Sequence, residues 1–289
     1  MLWIEIKMAP TYSIIIPHHG PQEQLERCVA SIPKRDDVQL IVVIDKDCRG
    51  AGWARNEGLK QARGRYVIFA DSDDYFLGGM GEFLDDIKDE TSDMIFFNAC
   101  SIDGRTGKKS WRANHINSIV RNSDKVWQER HLRYHFTEPW CRVISMSMIK
   151  KYGIRFGESS ILNDIFFATQ VGCYAKDIAV YDKSLYCITN NQGSVAKRRS
   201  ERCMIDATRQ TAHSNIFLRD YGANHYHSRM MRPFVMSLCS GHFNVAKQCW
   251  RIMLDEGYST RELLRYMLRY PKDVIKLLRL KIIKGEIFM

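Results

Sequence analysis

The sequence predicts an α/β fold, with a mostly parallel, Rossmann-like sheet flanked by helices and a helical C-terminal extension. Short β-branched and aromatic runs alternate with stretches of helical spacing over residues 12–110, as in chains built from βαβ units. The run 38–44 is almost wholly apolar, as expected of a strand covered on both faces. The predicted elements, in order, are strand 12–17, helix 22–32, strand 38–44, a loop entering a helix over 50–62, strand 66–70, helix 81–88 and strand 94–98.

The second half of the chain has a more mixed pattern. Residues 99–135 are polar, with a predicted turn at 104–109 between short strands. Residues 136–182 mix strand and helix, and helices are predicted over 144–152 and 164–174. From about residue 201 the pattern is helical and increasingly basic. We therefore divide the chain into an extension over 1–11, a main domain over 12–200 and a basic helical region over 201–289.

Composition indicates a globular protein of the cytosol. Its residues are 45% hydrophobic and 26% charged, and no run approaches the roughly 18–20 apolar residues of a spanning helix. The nine cysteines are scattered, odd in number and form no Cys-x-x-Cys pair, which indicates reduced thiols. Glu5 interrupts the apolar run at the start, so we expect no signal peptide, and Met8 is an alternative first residue.

The net charge of +10 is concentrated near the C-terminus. Residues 261–284 carry eight Lys/Arg against two acidic residues, which favours a local partner over a general nucleic-acid surface. The pattern fits a basic amphipathic helix on an anionic membrane. A helix packed on the main domain with its charges in water fits equally well. Basic residues at helical spacing are Arg261, Arg265, Arg269, Lys272, Lys276 and Arg279.

The predicted strand 66–70 ends in a cluster of acidic residues, Asp71, Asp73 and Asp74, with Ser72 between them. Carboxylates at a buried strand end cost several kcal/mol unless a cation neutralises them. Oxygen-only sites suit Mg²⁺ or Mn²⁺, often shared with a substrate phosphate. The alternative is that these residues form a turn or a helix cap, and we assign Asp74 to that role.

Two neighbouring segments favour a nucleotide as the ligand. The loop 50–64 is glycine-rich and cationic, and it can offer backbone N–H groups and Arg55 to a diphosphate; a plain flexible loop is the alternative. Asp45 ends the second strand, where it can recognise a base or ribose or form a turn with Asp47. Because strand ends of a parallel sheet share one edge, we expect Pro17, Asp45 and Asp71 to converge there.

Four linked motifs resemble glycosyltransferase family 2. They are Ser13-Ile-Ile-Ile-Pro17, Leu40-Ile-Val-Val-Ile-Asp45, Ala54-Arg-Asn-Glu-Gly58 and Gly64-Arg-Tyr-Val-Ile-Phe-Ala-Asp-Ser-Asp-Asp74. The resemblance implies a GT-A fold with a nucleotide-sugar half over 12–110 and an acceptor half over 111–200. It implies that Mn²⁺ or Mg²⁺ binds Asp73 and Asp71, Asp73 more directly. The nucleotide-sugar would be bound by Pro17, His18, His19, Asp45, Arg55, Asn56, Asp71 and Ser72.

The likeness to bacterial polysaccharide enzymes of this family continues into the acceptor half. There an acidic pair precedes an apolar helix, and its Asp is the catalytic base; here the pair is Asn163-Asp164. The resemblance thus implies Asp164 as the base, and a helix N-cap is the alternative. Asn163 and Trp140 are assigned to the acceptor side, although core packing is an alternative for Trp140.

The resemblance implies an inverting, metal-dependent transferase that moves a sugar from a nucleotide-sugar, a UDP-sugar in our prediction, to a surface polysaccharide or a polyprenyl-linked glycan. We expect it in the cytoplasm, including the inner face of the membrane, without a nucleic-acid partner. A nucleotidyltransferase and a non-catalytic nucleotide-sugar-binding or membrane-scaffold protein are the alternatives. His18, His19 and Gly20 depart from the family pattern after Pro17, which leaves the donor base and sugar open.

Overall fold

The computed structural model describes residues 9–191, 200–223 and 230–269. Contacts between residues divide the chain into two compact units. The first contains residues 1–158 and 167–194, and the second contains residues 159–166 and 195–289. We describe each unit separately.

The described residues form seven strands and eleven helices. In chain order they are β1 (Tyr12–His18), α1 (Gln22–Ala30), β2 (Val38–Ile44), α2 (Ala51–Gln61), β3 (Tyr66–Phe69), β4 (Tyr75–Phe76), α3 (Met80–Asp86), β5 (Met94–Asp103), α4 (Asn114–Val120), α5 (Lys125–Tyr134), β6 (Arg142–Ser145), α6 (Met146–Tyr152), α7 (Ile165–Tyr174), β7 (Ile178–Asn190), α8 (Glu201–Asp220), α9 (Met231–Cys239), α10 (Phe243–Asp255) and α11 (Thr260–Arg269).

The strands form one mixed sheet in the order β2-β1-β3-β6-β5-β7-β4. Strand β1 pairs in parallel with both β2 and β3. Strand β6 is antiparallel to both β3 and β5, and β7 is parallel to β5. The carboxyl ends of β1, β2, β3, β5 and β7 therefore lie at one edge of the sheet, where ligands of α/β proteins collect.

The central strand β1 is fully buried. Its packing holds the strand ends at the edge that carries the candidate site. Ile14, Ile15 and Ile16 of β1 have no exposed surface. Helix α2 packs directly on this strand because Gly58 has no side chain: a Cβ there would lie 2.4 Å from Cγ2 of Ile15. Because α2 begins just after the loop that follows β2, its first turn lies near the carboxyl edge.

The predicted elements of the first hundred residues are confirmed, with bounds that shift by a few residues, but three strands and two helices were missed. Residues 142–145 form β6 and not the start of a helix, since the side chain of Ser145 caps α6 by accepting the Met148 N–H at 3.4 Å. Strands β4 and β7 were not predicted. The polar stretch after β5 contains α4 and α5. These helices were missed because each has few apolar residues among many polar ones.

The second unit buries its own apolar cluster, to which helices α8 to α11 contribute. In α11, Leu263 is fully buried whereas Leu264 is 51% exposed. Helix α11 therefore turns Leu263 into the core of the second unit. The predicted basic stretch 261–284 lies outside the described residues beyond Arg269. Over the described ranges, no helix has the length and hydropathy to cross a membrane.

Candidate functional site

Three carboxylates gather where the chain leaves β3. Each of Asp71, Asp73 and Asp74 offers an oxygen, and these oxygens lie within 4.8 Å of one another. The turn that places them is closed by the Asp74 N–H, which donates to the Asp71 carbonyl at 3.0 Å. Like charges at this spacing repel one another, and burial strengthens that repulsion.

Asp74 is the most buried of the three, with 3% of its surface exposed. One of its oxygens accepts the backbone N–H of Thr189 at 2.7 Å, so the carboxylate ties the turn to β7. Burial, followed by repulsion from Asp71 and Asp73, raises the pKa of Asp74 well above its usual value. Asp74 takes part in a turn as predicted, but a helix-cap role is wrong, because β4 and not a helix follows this residue.

Asp73 is held at both its backbone and its side chain. The Arg27 guanidinium of α1 donates to the Asp73 carbonyl at 2.5 Å and to Oγ1 of Thr189 at 3.1 Å. The Asn191 amide donates to Oδ2 of Asp73 at 2.9 Å. The pKa of Asp73 is raised by burial and by Asp71, against the lowering effect of the Asn191 hydrogen bond.

Asp71 is paired with Arg55 of α2. The guanidinium Nη2 lies 2.6 Å from Oδ1 of Asp71, and Arg55 is 5% exposed. The same guanidinium lies over the Phe156 ring at 5.3 Å. Arg55 therefore neutralises one of the three acidic groups, and its predicted contact with a diphosphate stays a prediction. The hydroxyl of Tyr186 accepts the Asp71 backbone N–H at 2.9 Å.

Asp45 builds the loop between β2 and α2. Its two oxygens accept the N–H groups of Arg49 at 2.9 Å and Gly50 at 2.6 Å, and the residue is 4% exposed. Its backbone N–H donates to the His18 carbonyl at 2.8 Å, which joins the ends of β1 and β2. The expected convergence of these two strand ends is thus observed, whereas the nucleoside contact of Asp45 stays a prediction.

The two histidines after Pro17 differ in environment. His18 is 5% exposed, and its Nδ1 has no hydrogen-bond partner among the described residues. Burial, followed by the charge of His19, lowers the pKa of His18. His19 is exposed, and its Nδ1 lies 3.0 Å from the Asp45 carbonyl. Pro17 is buried in β1.

Asn56 anchors a distant segment. Its amide donates to the Phe156 carbonyl at 3.1 Å and accepts the Phe156 N–H at 2.9 Å. This reciprocal pair fixes the backbone beside the Arg55 guanidinium. Ser72 is half-buried in the turn after β3. Direct nucleotide contacts by Asn56 and Ser72 stay predictions.

The predicted acceptor residues lie in both units. Trp140 is 3% exposed and stacks on Tyr186 at 5.8 Å between ring centroids, so core packing describes it in this structure. Asn163 and Asp164 are half-buried and directly precede α7. They belong to the second unit, and their acceptor-side and catalytic roles stay predictions.

The structure adds four residues that the sequence reading missed. Arg27, Tyr186, Thr189 and Asn191 all contact the acidic turn, and three of them lie on or directly after β7. The apolar run 185–188 was the available signal for a strand at this edge. A cavity of about 330 Å³ opens beside Asn191, lined by Gln24, Asp103, Gly104, Arg105, Asn190 and Asn191.

The acidic turn fits a hard divalent cation. It supplies oxygen donors only, which suits Mg²⁺ or Mn²⁺. The Arg55 guanidinium pairs with Asp71, while the pKa values of Asp73 and Asp74 are raised by burial and by repulsion from neighbouring carboxylates. A dication would relieve this repulsion. Parallel strand ends that meet at one edge beside such a turn are typical of α/β domains that bind nucleotides.

Comparison with known proteins finds a family match for part of the chain. Residues 37–153 match the family model described as Glycosyl transferase family 2. The matched residues make up less than half of the 289-residue chain, and over this region the chain is similar to the family. The predicted recognition is confirmed, and Asp45 and the acidic turn lie inside the matched residues, whereas Asp164 lies beyond them.

Among curated proteins, the chain is 20% identical over 227 residues to the putative glycosyltransferase EpsH of Bacillus subtilis, covering 67% of this chain and 64% of EpsH. The chain thus spans less than two thirds of that relative's length. A segment of 46 residues, 16% of this chain and 18% of the relative, is 48% identical to an Escherichia coli protein, the UDP-Glc:alpha-D-GlcNAc-diphosphoundecaprenol beta-1,3-glucosyltransferase WfaP.

Among solved structures, residues 1–349 of Staphylococcus aureus TarS in complex with UDP-GlcNAc superpose with a TM-score of 0.65 and 18% identity. The superposition covers 95% of this chain and 92% of that one. At this identity the likeness establishes the fold, and the predicted GT-A fold is confirmed.

Proposed function

We propose that this protein is an inverting, metal-dependent glycosyltransferase. It transfers a sugar from a nucleotide-sugar, a UDP-sugar, to a hydroxyl of a surface polysaccharide or of a polyprenyl-linked glycan. The observation that carries the proposal is the acidic turn at the carboxyl edge of the sheet, where three carboxylates converge within 4.8 Å beside the buried Arg55. Support for the donor comes from TarS, which was solved with UDP-GlcNAc.

The acidic turn would hold the cation through Asp73 and Asp71. When bound, Mn²⁺ or Mg²⁺ stabilises the negative charge that develops on a leaving nucleoside diphosphate. Arg55 holds the Asp71 carboxylate in place through its guanidinium contact, and its own charge adds to the field at the same edge. Asp74 contributes by fixing the turn to β7 through the Thr189 N–H.

Asp164 would remove the proton from the acceptor hydroxyl as that oxygen attacks the anomeric carbon. Displacement in a single step inverts the configuration at that carbon. The assignment of the base rests on the family resemblance of the Asn163-Asp164 pair, and the position directly before α7 is its structural context.

Thermal shift with nucleoside diphosphates and nucleotide-sugars, each in Mn²⁺ and in chelator, tests the donor site. We expect UDP and UDP-sugars to raise the melting temperature in Mn²⁺, because a ligand that binds only the native state stabilises it. Turnover of the preferred donor should release nucleoside diphosphate. Release of pyrophosphate from a nucleoside triphosphate would support the nucleotidyltransferase alternative and contradict the proposal.

Two substitutions separate the metal site from the base. Asp164→Asn should lower transfer by about 10²–10⁴-fold, the usual contribution of a general base, while metal-dependent nucleotide binding is retained. Asp73→Ala should weaken UDP binding in Mn²⁺ and have little effect in chelator. Full transfer by Asp164→Asn would exclude its role as base, and an equal loss for Asp73→Ala in both conditions would exclude a metal ligand.

We also propose that the basic stretch 261–284 binds the anionic inner face of the membrane. Replacement of its six regularly spaced basic residues by Gln should abolish co-sedimentation with phosphatidylglycerol vesicles at low salt. This design keeps Leu263 in the core of the second unit, which a truncation at residue 259 would remove. Unchanged sedimentation would exclude the membrane contact.

A further inference from the structure

The strands β5 and β7 end side by side next to the acidic turn. Their parallel ladder closes with the pair Asp103 and Asn190, and the Gly104 N–H donates to the Asn190 carbonyl at 3.2 Å. The next residue of the chain, Asn191, turns its side chain to the acidic group. The end of the β5–β7 ladder therefore determines where the Asn191 carboxamide can lie.

The carboxamide of Asn191 lies between a carboxylate and a glycine. Its Nδ2 donates to Oδ2 of Asp73 at 2.9 Å. On the other side, a Cβ on Gly104 would lie 2.1 Å from Oδ1 and 3.3 Å from Cγ of Asn191. Real Cβ contacts do not reach 2.1 Å, so any side chain at position 104 must displace the carboxamide. Glycine at position 104 leaves the space that the carboxamide occupies.

The hydrogen bond restricts the Asp73 carboxylate. One oxygen is occupied by the Asn191 amide, while Arg27 holds the carbonyl of the same residue at 2.5 Å. A carboxylate fixed at its backbone and at one oxygen loses less rotational freedom when its other oxygen binds a ligand. Partners that orient a metal-binding carboxylate in this way commonly change metal affinity by 10–100-fold.

We propose that Asn191 is a positioning residue for Asp73, and that Gly104 provides the space that lets its amide reach the carboxylate. The proposal rests on the proposed function, because it assigns Asn191 a role in the metal affinity of the acidic turn. Neither residue touches the transferred sugar in this proposal. Both act through the orientation of Asp73.

The test measures Mn²⁺ affinity directly, by electron paramagnetic resonance of free Mn²⁺ during titration with MnCl₂ in the presence of UDP. Asn191→Ala should weaken Mn²⁺ binding about tenfold or more. Gly104→Ala should do the same, although it changes no polar group. Gly78→Ala is the matched control, because an added Cβ at Gly78 meets no atom within 4 Å, and its affinity should equal that of the wild type.

The double variant Gly104→Ala/Asn191→Ala tests the link between the two residues. If Gly104 acts through the Asn191 carboxamide, the double variant should bind Mn²⁺ as Asn191→Ala does, within about twofold, because residues that act through one contact are not additive. A further tenfold loss in the double variant would overturn the shared role. Asn191→Ala creates no clash, so it carries the test if Gly104→Ala does not fold.

The failure of this inference and the failure of the proposed function differ in outcome. If wild-type protein binds Mn²⁺ with UDP and Asn191→Ala binds it equally well, the positioning role is wrong while the metal site stands. If the wild type binds no Mn²⁺ under these conditions, the proposed metal-dependent function fails, and the positioning role fails with it. Recovery of Asn191→Ala turnover at high Mn²⁺ would support a defect confined to affinity.

Discussion

The ends of β2 and β3 both carry acidic residues at the same edge of the sheet, but the structure uses them in opposite ways. At the end of β2, both oxygens of Asp45 accept backbone N–H groups of its own loop. At the end of β3, three carboxylates face one another, and burial and repulsion raise the pKa values of Asp73 and Asp74. Both oxygens of Asp45 are hydrogen-bonded within its own loop, whereas the three carboxylates of the acidic turn repel one another although each contacts a donor of the fold.

The difference shows where a ligand can add stability. A carboxylate with both oxygens hydrogen-bonded gains little from a further cation. A cluster whose members repel one another gains much, because a dication removes that repulsion. The balance of charges at each strand end therefore separates a structural acid from a candidate metal ligand. An Asp at the end of a strand does not distinguish them by itself.

The largest expected effect on stability comes from removing the carboxylate of Asp45, whose two oxygens are both hydrogen-bonded. Asp45→Ala leaves the N–H groups of Arg49 and Gly50 without their acceptor, and each lost bond to a charged group costs about 1.5–3 kcal/mol. We expect the free energy of unfolding to fall by about 3 kcal/mol, measured by urea denaturation in chelator.

Asp47→Ala is the matched control for Asp45→Ala. Asp47 is exposed in the same loop, and substitution there should change stability by less than about 0.5 kcal/mol. Equal effects of the two substitutions would contradict the structural role of Asp45.

The sequence was sufficient to predict the strands that consist of continuous apolar runs. β2 was predicted with its observed bounds because only Gln39 interrupts seven residues that are otherwise apolar and mostly β-branched. The strand β6 was missed because it has only four residues, and the last of them, Ser145, is also the N-cap of α6. Strand β4 has two residues and exists only through its pairing with β7. Such short elements are determined by tertiary contacts.

Some residues of the candidate site could likewise be predicted from the sequence, and others could not. Asp71 and Asp73 follow a recognisable strand, so their sequence position predicts them. Asn191 is remote in sequence and reaches Asp73 only through the parallel pairing of β5 with β7. No local pattern encodes that register. Trp140 shows the converse, because an aromatic residue near a site motif proved to lie in the core.

A smaller loss should follow from removing the cation that partly balances the acidic turn. Arg55→Met keeps an apolar stem beside Phe156 but leaves Asp71 without its guanidinium contact. Since Asp71 is 31% exposed, solvent replaces part of the pairing, and we expect a loss of about 2 kcal/mol in chelator, below the 3–5 kcal/mol of fully buried pairs.

The control for Arg55→Met is Arg49→Met, because Arg49 is exposed and stacks on Trp53 with its guanidinium 4.4 Å from the ring centroid. It should lose no more than about 0.5–1 kcal/mol, the scale of an exposed cation–π contact. If Arg55→Met were neutral, the acidic turn would not depend on this guanidinium, and the contrast with Asp45 would weaken.

The smallest expected effect has the opposite sign. Asp74→Asn keeps an oxygen for the Thr189 N–H and removes one of three repelling charges. At pH 8 in chelator we expect a gain of about 1 kcal/mol, as found when buried charges are replaced by neutral groups. Asp45→Asn should instead destabilise the protein. The backbone N–H groups of Arg49 and Gly50 each donate to one oxygen of Asp45, and in the variant one of them would face the NH₂ group of the amide.

The pH dependence of stability tests independently whether Asp74→Asn stabilises the protein. The native pKa of Asp74 is raised by burial and by its two acidic neighbours, so between its usual value and that raised pKa the native state binds more protons than the unfolded state. Stability contributed by this group is then present at low pH and lost as pH rises through the native pKa. The gain from Asp74→Asn should therefore vanish near pH 4 and grow toward pH 8. A gain that stayed constant across this range would mean that the carboxylate is not strained by its neighbours, and the two acidic strand ends would then be alike.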